Sequence, residues 1–162
     1  MVLLLAQYSY DWDEQNRLKG LAHRPTSNPS ALLSGFSYKL GVDGRREQVS
    51  ETVHHPQSSS IAVVNRTITY SHNGANWLLG EKREEVRQLR AGGTQEETVA
   101  TSYGYDSVGN RLLGVTERRN GVGPEAALQS RVEEENQYDV GQPLGNDWLP
   151  STLTLPIGST SL

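Results

Sequence analysis

The side chains that could do chemistry in this 162-residue chain are histidines 23, 54, 55 and 72, the run Glu133-Glu134-Glu135, aspartates 11, 106 and 139, and arginines 17, 45, 46 and 111. His54-His55 precedes Pro56 and offers two imidazoles to zinc. Adjacent strand residues point to opposite faces, and no cysteine or spaced carboxylate pair completes four ligands, so the plainer reading is a solvated loop. The glutamate run could attract a cation, but such a run is more commonly a solvated connection. Asp11, Asp106 and Asp139 recur as a calcium ladder would. The calcium β-roll, however, is glycine-dense with a repeat of about nine residues, and an aspartate before a turn more simply accepts backbone N–H bonds there.

The arginines could hold an anionic polymer, yet the net charge is -4, and cross-strand pairing on an exposed sheet face is preferred. No Gly-x-Ser-x-Gly elbow is present, and Gly92-Gly93 and Gly121-Val122-Gly123 lack the lysine or following helix of a phosphate cradle. No residue receives a catalytic, cofactor-binding or metal-binding role, and no nucleic-acid partner is expected.

The elements that carry these side chains repeat. All seven tyrosines and the single phenylalanine end an alternating stretch that meets a turn and then a second alternating stretch. Tyr8 and Tyr10-Asp11 lead to Arg17-Leu18, and Phe36 and Tyr38 lead to Asp43-Gly44-Arg45-Arg46. Tyr70 leads to Asn73-Gly74 and Trp77, Tyr103 and Tyr105-Asp106 lead to Gly109-Asn110-Arg111, and a degraded unit keeps Tyr138-Asp139 and Gly141. Taking tyrosines 10, 38, 70, 105 and 138 as anchors gives spacings of 28, 32, 35 and 33 residues. A period of that order marks a repeat architecture. Alternation places one side-chain set on one face of a strand, and Gly or Asn tolerates positive φ where a hairpin reverses. Each unit is read as a β-hairpin.

Tyr-x-Tyr-Asp-x-x-Gly-Asn-Arg-Leu at 103–112 resembles the tyrosine-aspartate (YD) repeat of the rearrangement-hotspot (Rhs) proteins, relatives of toxin-complex components and teneurins. Phe36 to Glu51 resembles another unit, with Lys39 where Asp is expected. The unit at Tyr10 is one residue longer before its arginine, and that at Tyr70 has Ser71 for Asp and Trp77 for Arg. The resemblance spans about residues 5 to 147. It implies an all-β fold of tandem hairpins stacked into a curved, open sheet, a partial shell wall of the kind that encloses a toxin or cargo polypeptide. It also implies neighbouring YD repeats as partners and a secreted or cell-surface location. The Asp-Pro-rich core and toxin domain of complete members have no counterpart here.

Composition sets bounds. Leu, Val, Ile and Phe make up about a fifth of the chain, near the region associated with disorder, so tyrosine and tryptophan must carry much of the burial. There are no cysteines, hence no disulfide staples. Met1 to Ala6 is apolar but lacks a basic leader, and it is too short for a signal peptide or a membrane span. The expected organisation is an array over 1–147, with units near 4–24, 34–55, 61–90, 97–119 and 130–147, and an irregular tail over 148–162. Residues 81–90 show helical spacing of Val86 and Leu89, but their place in the repeat argues for a strand.

Function is expected to be structural, without catalysis or cofactors. The alternative is an extracellular binding module that recognises glycans or a partner protein through aromatic side chains such as Trp12, Trp77 and Tyr105, and through arginines. Self-association through an open sheet edge at the N-terminal strand is expected in either case.

Overall fold

The computed structural model describes residues 6–136 and the backbone of 151–155. Among the described residues ten strands form one antiparallel meander in strict chain order. They are β1 (Ala6–Trp12), β2 (Leu18–Pro25), β3 (Ser34–Leu40), β4 (Arg46–His54), β5 (Ile61–His72), β6 (Leu78–Leu89), β7 (Thr94–Tyr105), β8 (Arg111–Asn120), β9 (Ala127–Glu135) and β10 (Ser151–Leu155). The sheet is open, with β1 and β10 at its two edges. The fold is all-β, a tandem array of hairpins. Residues 81–90 fall largely within β6, where pairing to β5 and β7 overrides the local helical spacing.

One expectation is corrected at the C-terminal side. Ser151–Leu155, placed by sequence in an irregular tail, pairs antiparallel with Arg131–Glu135 of β9. Its Thr-Leu-Thr-Leu alternation is a strand pattern, and the outer polar groups of β9 provide the template. The fifth pair of arms is therefore Ala127–Glu135 with Ser151–Leu155. Tyr138 and Asp139 lie outside the described residues.

Little of this sheet is deeply buried. Among the described residues only Val49, Val64, Glu85, Thr98, Gly114 and Ala126 are buried beyond nine-tenths. The cause is architectural: one layer shields each strand only by its two neighbours and by the side chains beside it. Register pairing puts Tyr10, Tyr38, Tyr70 and Tyr103 on one face with Val49, Ile68 and Val99. The opposite face carries small and polar residues, including Gly20, Ser37, Ser50, Thr67 and Thr98.

Candidate interaction surface: the turn ladder and the tyrosine face

Four hairpin turns share one construction. In each, the first turn residue donates its N–H to the carbonyl of the fifth, and the fourth donates to the carbonyl of the first. The pairs are Asp13/Arg17 with Asn16, Gly41/Arg45 with Gly44, Asn73/Trp77 with Asn76, and Asp106/Asn110 with Gly109. The fourth residue has positive φ in every case: Asn16 57°, Gly44 82°, Asn76 70° and Gly109 95°. This is a three-residue hairpin loop closed by a residue in the left-handed region. Leu89 to Gly93 repeats the same bonds at the opposite margin, between β6 and β7. Just outside each of the four turns the return arm holds one extra residue, Lys19, Glu47, Leu79 or Leu112. Such bulges add twist and leave the extra residue without a partner across the ladder.

A polar side chain stabilises three of the turns from their first position. Asp13 Oδ1 accepts the N–H groups of Gln15 and Arg17 at 2.9 Å each. Asn73 Oδ1 accepts those of Ala75 (3.0 Å) and Trp77 (2.9 Å), and Asp106 Oδ1 those of Val108 (3.0 Å) and Asn110 (2.8 Å). In the second turn glycine takes the first position and Asp43, two residues on, accepts from the Arg45 N–H at 3.0 Å. These bonds move pKa values. The backbone N–H of Arg17, above all, holds the Asp13 carboxyl below its ordinary value. For Asp106 burial pushes upward, but hydrogen bonds from the side chain and backbone of Asn110 and the backbone of Val108 leave it lowered.

This construction re-phases the repeat. Counting back from each turn aligns Tyr10, Tyr38, Tyr70 and Tyr103, so Tyr105 corresponds to Trp12, Leu40 and His72. Asp106 corresponds to Asp13 and not to Asp11, which is exposed and 3.8 Å from Lys19 Nζ. The reversing residue of the third turn is Asn76 rather than Gly74. Arg111 corresponds to Arg46, not to Arg45. Both Arg46 and Arg111 lie over a tyrosine of their own hairpin, 5.1 Å from the Tyr38 ring and 5.3 Å from the Tyr103 ring.

The fifth turn residue reaches into the next hairpin. Arg17 binds the Asp13 carboxylate (Nε to Oδ2, 2.6 Å) and extends Nη1 to the carbonyl of Gly41, 2.9 Å away in the second turn. Arg45 binds Asp43 through Nε at 2.5 Å and places Nη1 3.5 Å from the carbonyl of Asn73 in the third turn. Trp77 continues the ladder with an apolar contact, its ring edge 2.9 Å from where a Cβ on Gly109 would stand. Tyr105 packs against Trp77 with centroids 5.4 Å apart, and its hydroxyl donates to the Leu78 carbonyl at 2.8 Å. Arg17 and Arg45 were expected to pair across strands on an exposed face; they are half-buried and tie turn to turn.

A row of ion pairs crosses the tyrosine face from β4 to β8. Arg66 bridges Glu51 (2.6 Å) and Glu85 (2.8 Å). Arg87 pairs with Glu85 and lies 3.6 Å from Glu97, which also meets Arg83 at 3.5 Å and Arg118. The Glu85 side chain is 3% exposed. Glu85 and Glu97 stand directly opposite one another, a repulsive placement that the guanidinium of Arg87 bridges. Burial pushes the Glu85 carboxyl up, but the hydrogen bond and charge of Arg66, then those of Arg87, leave it below its ordinary value.

The aromatics proposed as one platform are not brought together. Trp77 and Tyr105 are half-buried between the third and fourth hairpins, whereas Trp12 lies on edge strand β1 with Tyr8 and Tyr10, each between 55 and 59% exposed. Tyr8 stacks flat on His23, centroids 4.5 Å apart. Phe36 is half-buried on β3. His54 ends β4 and His55 opens the loop that Arg90 clamps by donating to the carbonyls of Ser58 (2.7 Å) and His55 (2.6 Å). Among the described residues no three metal-ligating side chains converge. No helix among the described residues is long and apolar enough to cross a membrane. Compared with protein-family models, curated proteins and solved structures, the chain gives no match.

Proposed function

We propose that this chain is a structural repeat module, a section of β-sheet wall similar to the shell of YD-repeat proteins, which would enclose a toxin or cargo polypeptide without catalysis of its own. One observation carries the reading: a single turn design occurs four times in series, and its fifth residue reaches the following turn each time that turn is followed by another of the four. Residues spent in this way hold hairpins side by side, which is what a wall requires. Protease protection tests it. The whole polypeptide encoded at this locus is digested beside the same non-repeat segments expressed alone. Segments that survive only in the whole polypeptide are the expected result, and equal digestion in both contradicts enclosure.

A second reading, an extracellular binding module for glycans or a partner protein, is favoured by the exposed Tyr8, Tyr10 and Trp12. Hits on a glycan array that vanish with Trp12→Ala would support it.

A further inference from the structure

We propose that the open edge of β1 is a docking site for a second copy of this chain, whose β10 pairs with it and continues the sheet head to tail. The inference rests on the wall reading and adds the identity of the partner strand. Every joint between hairpins sets an even-numbered return arm against an odd-numbered outgoing arm: β2 with β3, β4 with β5, β6 with β7 and β8 with β9. The strands left at the two edges are β1, an outgoing arm, and β10, a return arm. A translated copy brings β10 beside β1 in the same antiparallel sense and keeps the tyrosine face on one side. This arrangement repeats a joint the chain already makes four times.

The β1 edge has the composition of an internal edge that lacks its neighbour. Tyr10 holds the position of Tyr38, Tyr70 and Tyr103; those three are half-buried, while Tyr10 is 59% exposed. Tyr8 and Trp12 flank it on the same face, so the edge shows three aromatics in a row with no inward-pointing lysine and no proline. Natural edges usually carry such blocks, and an edge without them templates pairing. The turn ladder has the matching gap. The carbonyls of Gly41 and Asn73 each face a guanidinium from the preceding hairpin, and among the described residues the equivalent carbonyl of Asp13 receives only the Asn16 N–H of its own turn. A head-to-tail contact is heterologous, so it adds copies into filaments or rings of more than two protomers, whereas β1 against β1 yields a closed pair.

Sedimentation across a concentration series separates these outcomes, using wild type, Tyr10→Lys to block β1, Thr152→Pro to block β10, and an equimolar mixture of the two variants. The wild type is expected to exceed two protomers, each variant alone to be monomeric, and the mixture to stop at two. Amide exchange of the wild type, which needs no variant, should slow in both 7–12 and 151–155 as concentration rises. Dimerisation of Thr152→Pro alone would overturn the inference in favour of β1 against β1. A wild type that stays monomeric with unchanged exchange would also overturn it, and would leave the wall reading standing if the hairpins remain coupled through Arg17 and Arg45.

Discussion

Gly109 illustrates how far single residues were legible. A Gly-Asn pair after an alternating stretch marks a reversal, and Gly109 does take φ 95°. The same logic applied to Asn73-Gly74 chose the wrong residue, because asparagine also enters the left-handed region and Asn76 occupies the position three after the turn begins. What sequence could not give was the contact: Trp77 lies against Gly109 from a hairpin some thirty residues away. Gly109→Ala is therefore expected to cost more than Gly92→Ala. Both positions have positive φ, but a Cβ at Gly92 meets nothing within 4 Å. The strained backbone alone costs about 1–3 kcal/mol, and at Gly109 displacement of Trp77 adds to it. Thermal melts should rank Gly109→Ala below Gly92→Ala, and only the former should shift tryptophan fluorescence. Equal melts with unchanged fluorescence would deny the Trp77 contact. Tyr105→Ala is expected to destabilise as well, since it removes both the ring against Trp77 and the hydroxyl bond to Leu78. Arg119→Ala is not a neutral comparison for it, because Arg119 lies in β8 and binds Glu117 and the Ala126 carbonyl.

At the scale of elements, the hairpins were legible and their phase was not. Alternation and turn residues located each outgoing arm, but anchoring the fourth unit on Tyr105 sets it two residues out of step, since Tyr10, Tyr38, Tyr70 and Tyr103 are the tyrosines three residues before a turn. β10 was missed because the repeat was tracked by tyrosine, and its Thr-Leu alternation carries none. The ion row joining β4 to β8 was invisible for a similar reason: Glu51, Arg66, Glu85 and Glu97 become neighbours only through register. It carries a pH prediction. Glu85 has a folded pKa below its ordinary value of 4.5, so its contribution is present above that value and is lost as pH falls through the folded pKa. The melting temperature should hold from neutral pH to about 5 and drop below about 4.5, with a smaller drop in Glu85→Gln, whose neutral melt should already be lower by the equivalent of about 1–3 kcal/mol. Identical acid profiles for the two proteins would remove Glu85 from the account. The turn ladder makes its own claim. Arg17→Ala with Arg45→Ala should lose about 1–2 kcal/mol while each hairpin keeps its own backbone turn bonds. Urea unfolding is the check, and an unchanged midpoint would mean the guanidiniums contribute nothing between hairpins.

For the whole molecule, the thin aliphatic supply was the informative quantity. A chain with so few Leu, Val, Ile and Phe cannot enclose a sizeable core, and the fold is a single open sheet in which tyrosines and ion pairs supply the lateral contacts. Such an array is quasi-one-dimensional, with stability summed over units and nearest-neighbour joints. The curvature of a shell wall is implied by the resemblance alone; spacing and register give an open sheet of side-by-side hairpins. The central claim is thus that neighbouring hairpins, tied turn to turn, hold this protein together. Native-state amide exchange across the chain tests it most directly, comparing wild type with Gly109→Ala. The account predicts graded protection, highest in β5 to β8 and lowest in β1, with the substitution deprotecting β5 to β8 and leaving β1 and β2 nearly unchanged. Uniform protection that falls equally in every strand on substitution would reveal one all-or-none core and contradict it.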